Sequence, residues 1–97
     1  MRYEILLAPE AVADLRRLRA NDRAQLKAAI RAHLQHEPTK TSKSRMKRLR
    51  GLSKPQYRLR VGEFRVFYDV TKRKVEILAI LAKADAAEWL SKAGEAL

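Results

Sequence analysis

Apolar and polar positions along this chain follow two rhythms, and the switches between them mark the elements. Residues 2–8 alternate at period two, with Tyr3, Ile5 and Leu7 on one side and Arg2, Glu4 and Leu6 on the other. That spacing predicts a short strand. Pro9 ends it and suits the first turn of a helix. Over roughly 9–19 the period lengthens: Val12, Leu15 and Leu18 form a stripe, with Asp14, Arg16, Arg17 and Arg19 outside. Ala20-Asn21-Asp22 interrupts the stripe, and Asp22 with Gln25 resembles a capping box for a second helix. Leu26, Ala29, Ile30, His33 and Leu34 then recur at helical spacing until Glu37-Pro38 stops the run. The connection is short, so the two helices are expected to form an antiparallel hairpin.

Residues 39–46 read as a polar, basic loop, with Met46, Leu49 and Leu52 as anchors and Lys47, Arg48, Arg50 and Lys54 left outside. Period-two alternation returns after Pro55. Tyr57, Leu59 and Val61 point one way and Arg58 and Arg60 the other; Phe64, Val66 and Tyr68 alternate with Arg65, Phe67 and Asp69. Gly62-Glu63 between them fits a two-residue type II′ turn, glycine supplying the positive φ. The turn fixes a register: Val61 opposite Phe64, Arg60 opposite Arg65, Leu59 opposite Val66, Arg58 opposite Phe67 and Tyr57 opposite Tyr68. After a polar turn at 71–74, residues 75–82 are, Glu76 apart, apolar on both parities, which predicts an interior strand covered on both faces over part of its length. Asp85 is read as the cap of a last helix over roughly 85–95, with Ala86, Trp89, Leu90 and Ala93 on one side. The predicted fold is therefore α+β in the order β-α-α-β-β-β-α. A four-stranded, mostly antiparallel sheet packs against an N-terminal helical hairpin, with a short C-terminal helix, in a single domain over 1–97.

The predicted register has a chemical consequence. One face of the strand pair is wholly apolar or aromatic; the other gathers Arg58, Arg60 and Arg65 around Phe67. Like charges directly opposite one another in a sheet are destabilising. A lone strand arginine is ordinarily solvated or paired with a carboxylate, and Asp69 and Glu63 are nearby partners in sequence. Three arginines converging on an aromatic ring point instead to an anion site, most simply for a polyphosphate backbone. Charge distribution sharpens this. The chain carries net charge +11, divided as +2 over residues 1–38, +9 over 39–65 and 0 over 66–97. An excess confined to one segment suggests a nucleic-acid or acidic-protein surface.

Other classes recede. With 97 residues and no cysteine, neither disulfides nor thiolate metal ligation is available. No apolar run approaches the roughly 20 residues of a membrane span, and Met1-Arg2-Tyr3-Glu4 does not open a signal peptide, so a soluble cytoplasmic protein is expected. His33 lies on the apolar face of the second helix, a packing position, and His36 falls where that helix ends and its dipole favours a cation. No metal site or cofactor is expected from them.

The run Lys47-Arg48-Leu49-Arg50-Gly51-Leu52, followed by Tyr57-Arg58-Leu59-Arg60-Val61-Gly62-Glu63-Phe64-Arg65-Val66-Phe67-Tyr68-Asp69-Val70, resembles the RelE/ParE toxin superfamily of type II toxin–antitoxin pairs. The likeness lies in a Leu-Arg-Gly turn, a basic strand and an Arg-Val-x-Tyr strand, and element order and length extend it over the whole chain. It implies a toxin whose RelE-like branch cleaves messenger RNA on the ribosome without a metal. It places catalysis on Arg58, Arg65 and Lys83 and matches Arg60 to a commonly basic position; with the basic run and the arginine face, RNA binding is expected at Lys47, Arg48, Arg50, Lys54, Arg60 and Phe67. It also implies an acidic antitoxin that folds on binding, and an operator-binding toxin–antitoxin complex that contacts DNA through that antitoxin. At the C-terminal end Ala82-Lys83-Ala84-Asp85 lacks the branch's arginine or histidine cluster, and Trp89-Leu90 stands where a catalytic tyrosine is expected. Two other readings stay open: a ParE-like inhibitor of DNA gyrase without nuclease activity, and a non-toxic basic RNA-binding module.

The chemistry sets the roles. Cleavage of RNA by its own 2′-OH needs a base, positive charge at the crowded phosphate and an acid for the 5′-oxygen. Arginines serve the second need as planar donors but are poor bases. Lys83, crowded by the arginines, is the candidate for a base, and a solvated strand end is the competing reading.

Overall fold

The computed structural model of the chain describes residues 2–97. Its elements are β1 (Glu4–Leu7), α1 (Pro9–Arg16), α2 (Ala20–Leu34), β2 (Met46–Arg48), β3 (Leu52–Lys54), β4 (Tyr57–Val61), β5 (Phe64–Thr71), β6 (Lys74–Ala82), α3 (Lys83–Ala93) and β7 (Glu95–Ala96). The principal sheet runs β1-β6-β5-β4-β2, and β3 and β7 form a separate two-stranded ribbon. Among the described residues only β1 with β6 is parallel; the other pairs are antiparallel. The α+β order is as expected, with a fifth strand in the main sheet. That strand comes from Met46–Arg48, at the end of the stretch expected to be loop. Met46 is buried opposite Leu59, so one apolar anchor suffices to zip three residues onto the β4 edge.

Tyr57 lies opposite Tyr68, Arg58 opposite Phe67, Leu59 opposite Val66, Arg60 opposite Arg65 and Val61 opposite Phe64. This is the register the alternation predicted. Gly62 has φ +55°, and Glu63 is not in the positive-φ region, which agrees with a type II′ rather than a type I′ turn.

Strand β6 solves a problem that its sequence only hinted at. Phe67 pairs with Ala79 but Tyr68 pairs with Ile77, so Leu78 is an extra residue in the ladder. A bulge of this kind shifts parity by one. Val75 and Ile77 face the helices before it, and Ile80 faces them after it, all three buried. Apolarity on both parities thus reflects a bulge as well as cover on two faces.

Beyond Ile77, β6 has no β1 partner. There α1 intervenes: Asp14 Oδ2 accepts the Ile80 backbone N–H at 2.9 Å. Asp14 is only 5% exposed, which corrects its expected place on the outer face of the helix. The inward stripe of α1 centres on Ala11, Asp14 and Leu15, with Val12 and Leu18 half-buried. Leu26, Ile30 and Leu34 of α2 complete the core over the same sheet face, with Ala29 packed against them. His33 is half-buried rather than enclosed.

Both expected acidic caps are corrected. Helix α2 starts at Ala20 and α3 at Lys83, with Arg19 and Ala82 as caps that make no side-chain bond. Asp22 and Asp85 sit instead at the third helical position. An acid there is favoured by the N-terminal dipole, so cap and first-turn acid leave the same mark in a sequence.

The opposite sheet face is covered in part. Trp89 of α3 stacks on Phe67, with ring centroids 5.0 Å apart, and its Nε1–H donates to Glu10 Oε1 of α1 at 2.9 Å. No helix is long and apolar enough to cross a membrane among the described residues.

The Asp14 bond yields a test. Asp14→Ala leaves a buried backbone donor without an acceptor and is expected to cost about 1–3 kcal/mol in urea unfolding. Arg17, which forms an ion pair with Asp14, has a side chain 70% exposed, so Arg17→Ala should cost below about 1 kcal/mol. Equal costs would assign the stabilisation to the ion pair instead.

Candidate nucleic-acid interface

Two rows of side chains cross the face of the sheet that carries α3. One runs Lys47, Arg58, Phe67, Ala79 and the other Arg60, Arg65, Leu81, from β2 or β4 to β6. Helix α3 covers the β5–β6 end, where Phe67 and Ala79 are wholly buried. The β4–β2 end is left to the basic residues. Strand pleating therefore sets four cations on one face with no carboxylate interleaved.

Each arginine is held differently. Arg65 is only 8% exposed, and its guanidinium donates to the carbonyls of Gly62 at 3.0 Å and Phe64 at 2.9 Å. Arg58 donates to the Ser44 carbonyl at 2.8 Å, while its Nε is buried with no partner. Arg60 is exposed and reaches Ser44 Oγ at 3.4 Å. Burial first, then Arg65 and Arg60, lower the Arg58 pKa from its ordinary value. Among the described residues none of the three makes a salt bridge. The carboxylates expected as competing partners are elsewhere: Asp69 accepts the Gln56 N–H at 2.7 Å, and Glu63 is exposed in the turn. Burial raises the Asp69 pKa, with the Gln56 N–H opposing it.

Lys83 joins the same corner. Its backbone N–H donates to the Glu63 carbonyl at 2.7 Å, next to the Gly62 carbonyl that anchors Arg65. The start of α3 thus abuts the turn that anchors Arg65, and its dipole adds positive potential there. Among the described residues no group of three His, Asp or Glu side chains could hold a metal ion.

The remaining sequence-assigned residues divide. Lys47, opposite Arg58, belongs to the cluster. Arg48 lies opposite Tyr57 on the other sheet face and places its guanidinium 5.1 Å from the centre of that ring. Arg50 and Lys54 are exposed, Lys54 beside Trp89 and α3 rather than beside the arginines. Phe67 needs correction: alternation put it among the arginines, but Trp89 closes over it, and no ligand touches it while α3 is docked. Tyr68 is buried, donates to the Pro38 carbonyl at 2.8 Å and stacks on Tyr57; burial pushes its phenol well above the ordinary range. It is a core residue. Ser44 escaped the sequence reading because a serine in a polar loop carries no periodic signal. Only folding shows that it receives two arginines.

The family model for the ParE toxin of type II toxin–antitoxin systems, parDE, matches residues 5–87. No curated protein matches the sequence. Among solved structures, a mutant E. coli toxin RelE in the free state is 27% identical with TM-score 0.71, covering 96% of this chain and 95% of that one. A chain of the Methanococcus jannaschii RelB–RelE antitoxin–toxin complex is 23% identical, TM-score 0.68, with 87% and 96% covered. A chain of the Mycobacterium tuberculosis complex RelBE2 is 22% identical, TM-score 0.65, with 84% and 99% covered. Fold and family match together define a toxin of the RelE/ParE superfamily. The chain belongs to the ParE toxin family of type II toxin–antitoxin systems.

Helix α3 has no fully buried residue; Trp89 stacks it on Phe67, and the β3–β7 ribbon ties down the chain just beyond it. Elements with little burial open at low free energy. Trp89 is the sole tryptophan, so its fluorescence reports this docking without labels. In a urea titration the fluorescence transition is expected at lower denaturant than the far-ultraviolet dichroism transition. Coincident transitions would make α3 part of the single cooperative unit.

Proposed function

We propose that this chain is a RelE-like toxin that binds messenger RNA on the ribosome and cleaves it, with Arg58, Arg65 and Lys83 at the scissile phosphate. The observation that carries the reading is Arg58, half-buried among Arg60 and Arg65, with Nε unpartnered and no carboxylate in reach. Such a charge is costly until an anion arrives, and a phosphodiester supplies both negative charge and a pair of non-bridging oxygens that can accept from a guanidinium. In the transition state the phosphate gains charge, so preorganised guanidinium groups stabilise it more than the ground state. Lys83, at the same corner, serves as base for the 2′-OH. Lys47 and Arg60 hold the flanking backbone. The 27% identity to RelE over nearly the whole chain supports this branch.

The toxin is restrained by a cognate antitoxin, acidic and largely disordered alone, that covers the basic face as it folds. The solved relatives from Methanococcus jannaschii and Mycobacterium tuberculosis are antitoxin–toxin complexes, which supports such a partner. The antitoxin also carries the pair to operator DNA.

A second reading is favoured by the matching family description and by Trp89, which has no phenolic proton where the RelE branch is expected to use tyrosine. It is a ParE-like gyrase inhibitor. Induced expression separates the two: new messenger ends inside codons support the nuclease, whereas gyrase-linked DNA breaks with intact messages support the inhibitor.

Within the nuclease reading, Arg58→Ala and Arg60→Ala are the informative variants, because Arg65→Ala also removes the bonds to the turn carbonyls. Arg58→Ala is expected to lower the cleavage rate by about 100-fold or more with the melting temperature nearly unchanged. Arg58→Lys should rescue poorly, since it replaces a planar fork with a point charge. Loss of cleavage only in proportion to lost stability would leave Arg58 a structural residue.

A further inference from the structure

The end of α2 and the loop after it enclose a groove of about 430 Å³ that the arginine site does not include. It falls in the range of about 300–1,000 Å³ usual for small-ligand pockets. Its lining includes Lys40, Lys43 and Arg45 and the imidazoles of His33 and His36, with Glu37 the one carboxylate. Glu37 Oε2 lies 3.9 Å from Lys40 Nζ, leaving Lys43 and Arg45 without an acidic partner among the described residues.

The groove is built rather than loose. Ser42 Oγ accepts the backbone N–H groups of Arg45 and Met46 at 3.0 and 3.1 Å, and the Met46 carbonyl accepts the Ser42 N–H at 2.9 Å. These bonds close residues 42–46 into a turn. The Arg45 carbonyl accepts the Arg60 N–H at 2.7 Å, joining that turn to β4. Ser44 lines the groove and is also the residue that takes Arg58 and Arg60. The groove and the arginine cluster therefore share a wall, and their positive potentials merge across it.

We propose that this groove is a second subsite for the phosphodiester backbone of single-stranded RNA, receiving a nucleotide that flanks the one held by Arg58 and Arg60. The proposal rests on the RNA-binding reading above. The lining favours a phosphate: flexible lysines, an arginine and two imidazoles are all donors to oxygen when protonated. Burial and the adjacent Arg45 hold the His33 pKa below its ordinary value, so the imidazole is a neutral wall in the empty groove. A bound phosphate opposes the Arg45 charge and favours protonation of His33. Binding thus adds a proton together with a ligand, and that linkage is specific to this place.

The test uses the full-length toxin, fluorescent single-stranded oligoribonucleotides of about three and about ten nucleotides, and a salt series. The longer strand is expected to bind more tightly, because it reaches both sites. Lys43→Ala/Arg45→Ala should leave the short strand unaffected and weaken the long one by about tenfold, with the salt slope lower by about two. Arg58→Ala should weaken both. In nuclear magnetic resonance titrations the His33 ring pKa should rise when the long strand is added to the wild type. An unchanged long-strand affinity and slope in the double variant overturn the subsite while leaving the arginine site intact. No binding of either strand by the wild type overturns both readings. Selective binding of polyglutamate with no RNA binding would make the groove an acidic-protein contact and likewise overturn the proposal.

Discussion

The pairing of β4 with β5 is the constraint on which the molecule depends. Slipping it by one residue would turn Arg58, Arg60 and Arg65 into the helical core and Leu59, Val66 and Tyr68 out of it. Burial of a large apolar side chain stabilises by about 1.5–3 kcal/mol, and cross-strand like-charge pairs cost about 0.2–1 kcal/mol. Leu59, Val61, Val66 and Tyr68, all buried, therefore decide the register, and Arg60 meets Arg65 as its consequence. Gly62, at φ +55°, closes the strands without strain. The site is a by-product of the core only in the sense that the core has enough stabilisation to impose it.

Where the sequence was legible, one period acted on a segment long enough to display it. The β4–β5 alternation predicted every cross-strand partner, and the Leu26, Ile30 and Leu34 spacing predicted the buried face of α2. Short or tertiary features were hidden. Met46–Arg48 contributes a strand because Met46 meets Leu59, a contact between residues 13 apart that local pattern does not encode. Asp14 read as a surface residue because charge usually implies exposure; its burial follows from a missing strand partner at Ile80. The Leu78 bulge and the Arg65 bonds to its own turn likewise arise from the ladder, not from composition.

The arginine site shows the same division. Its members and their shared face followed from parity, as did the place of Lys47 once β2 is paired. The fate of Phe67 did not. Parity places a side chain on a face but says nothing of what else covers that face, and Trp89 arrives from 22 residues away. Apolar floor and basic rim are thus separated. The floor belongs to α3; of the rim, Arg60 is exposed, Arg58 half-buried and Arg65 nearly enclosed.

What orients the rim bears on how it works. Carboxylates would have offset the repulsion among Arg58, Arg60 and Arg65 more strongly than any neutral group, but they would also have cancelled the field and competed with phosphate for the same donors. The structure uses backbone carbonyls and a serine instead: Gly62 and Phe64 for Arg65, Ser44 for Arg58 and Arg60. A neutral acceptor fixes a guanidinium by geometry and leaves its charge in place. Each arginine is therefore held in place by the chain itself, an arrangement that would spare ordering cost in the anion binding proposed above. The Nε of Arg58 is what that arrangement leaves over, a buried donor that no group of the chain meets.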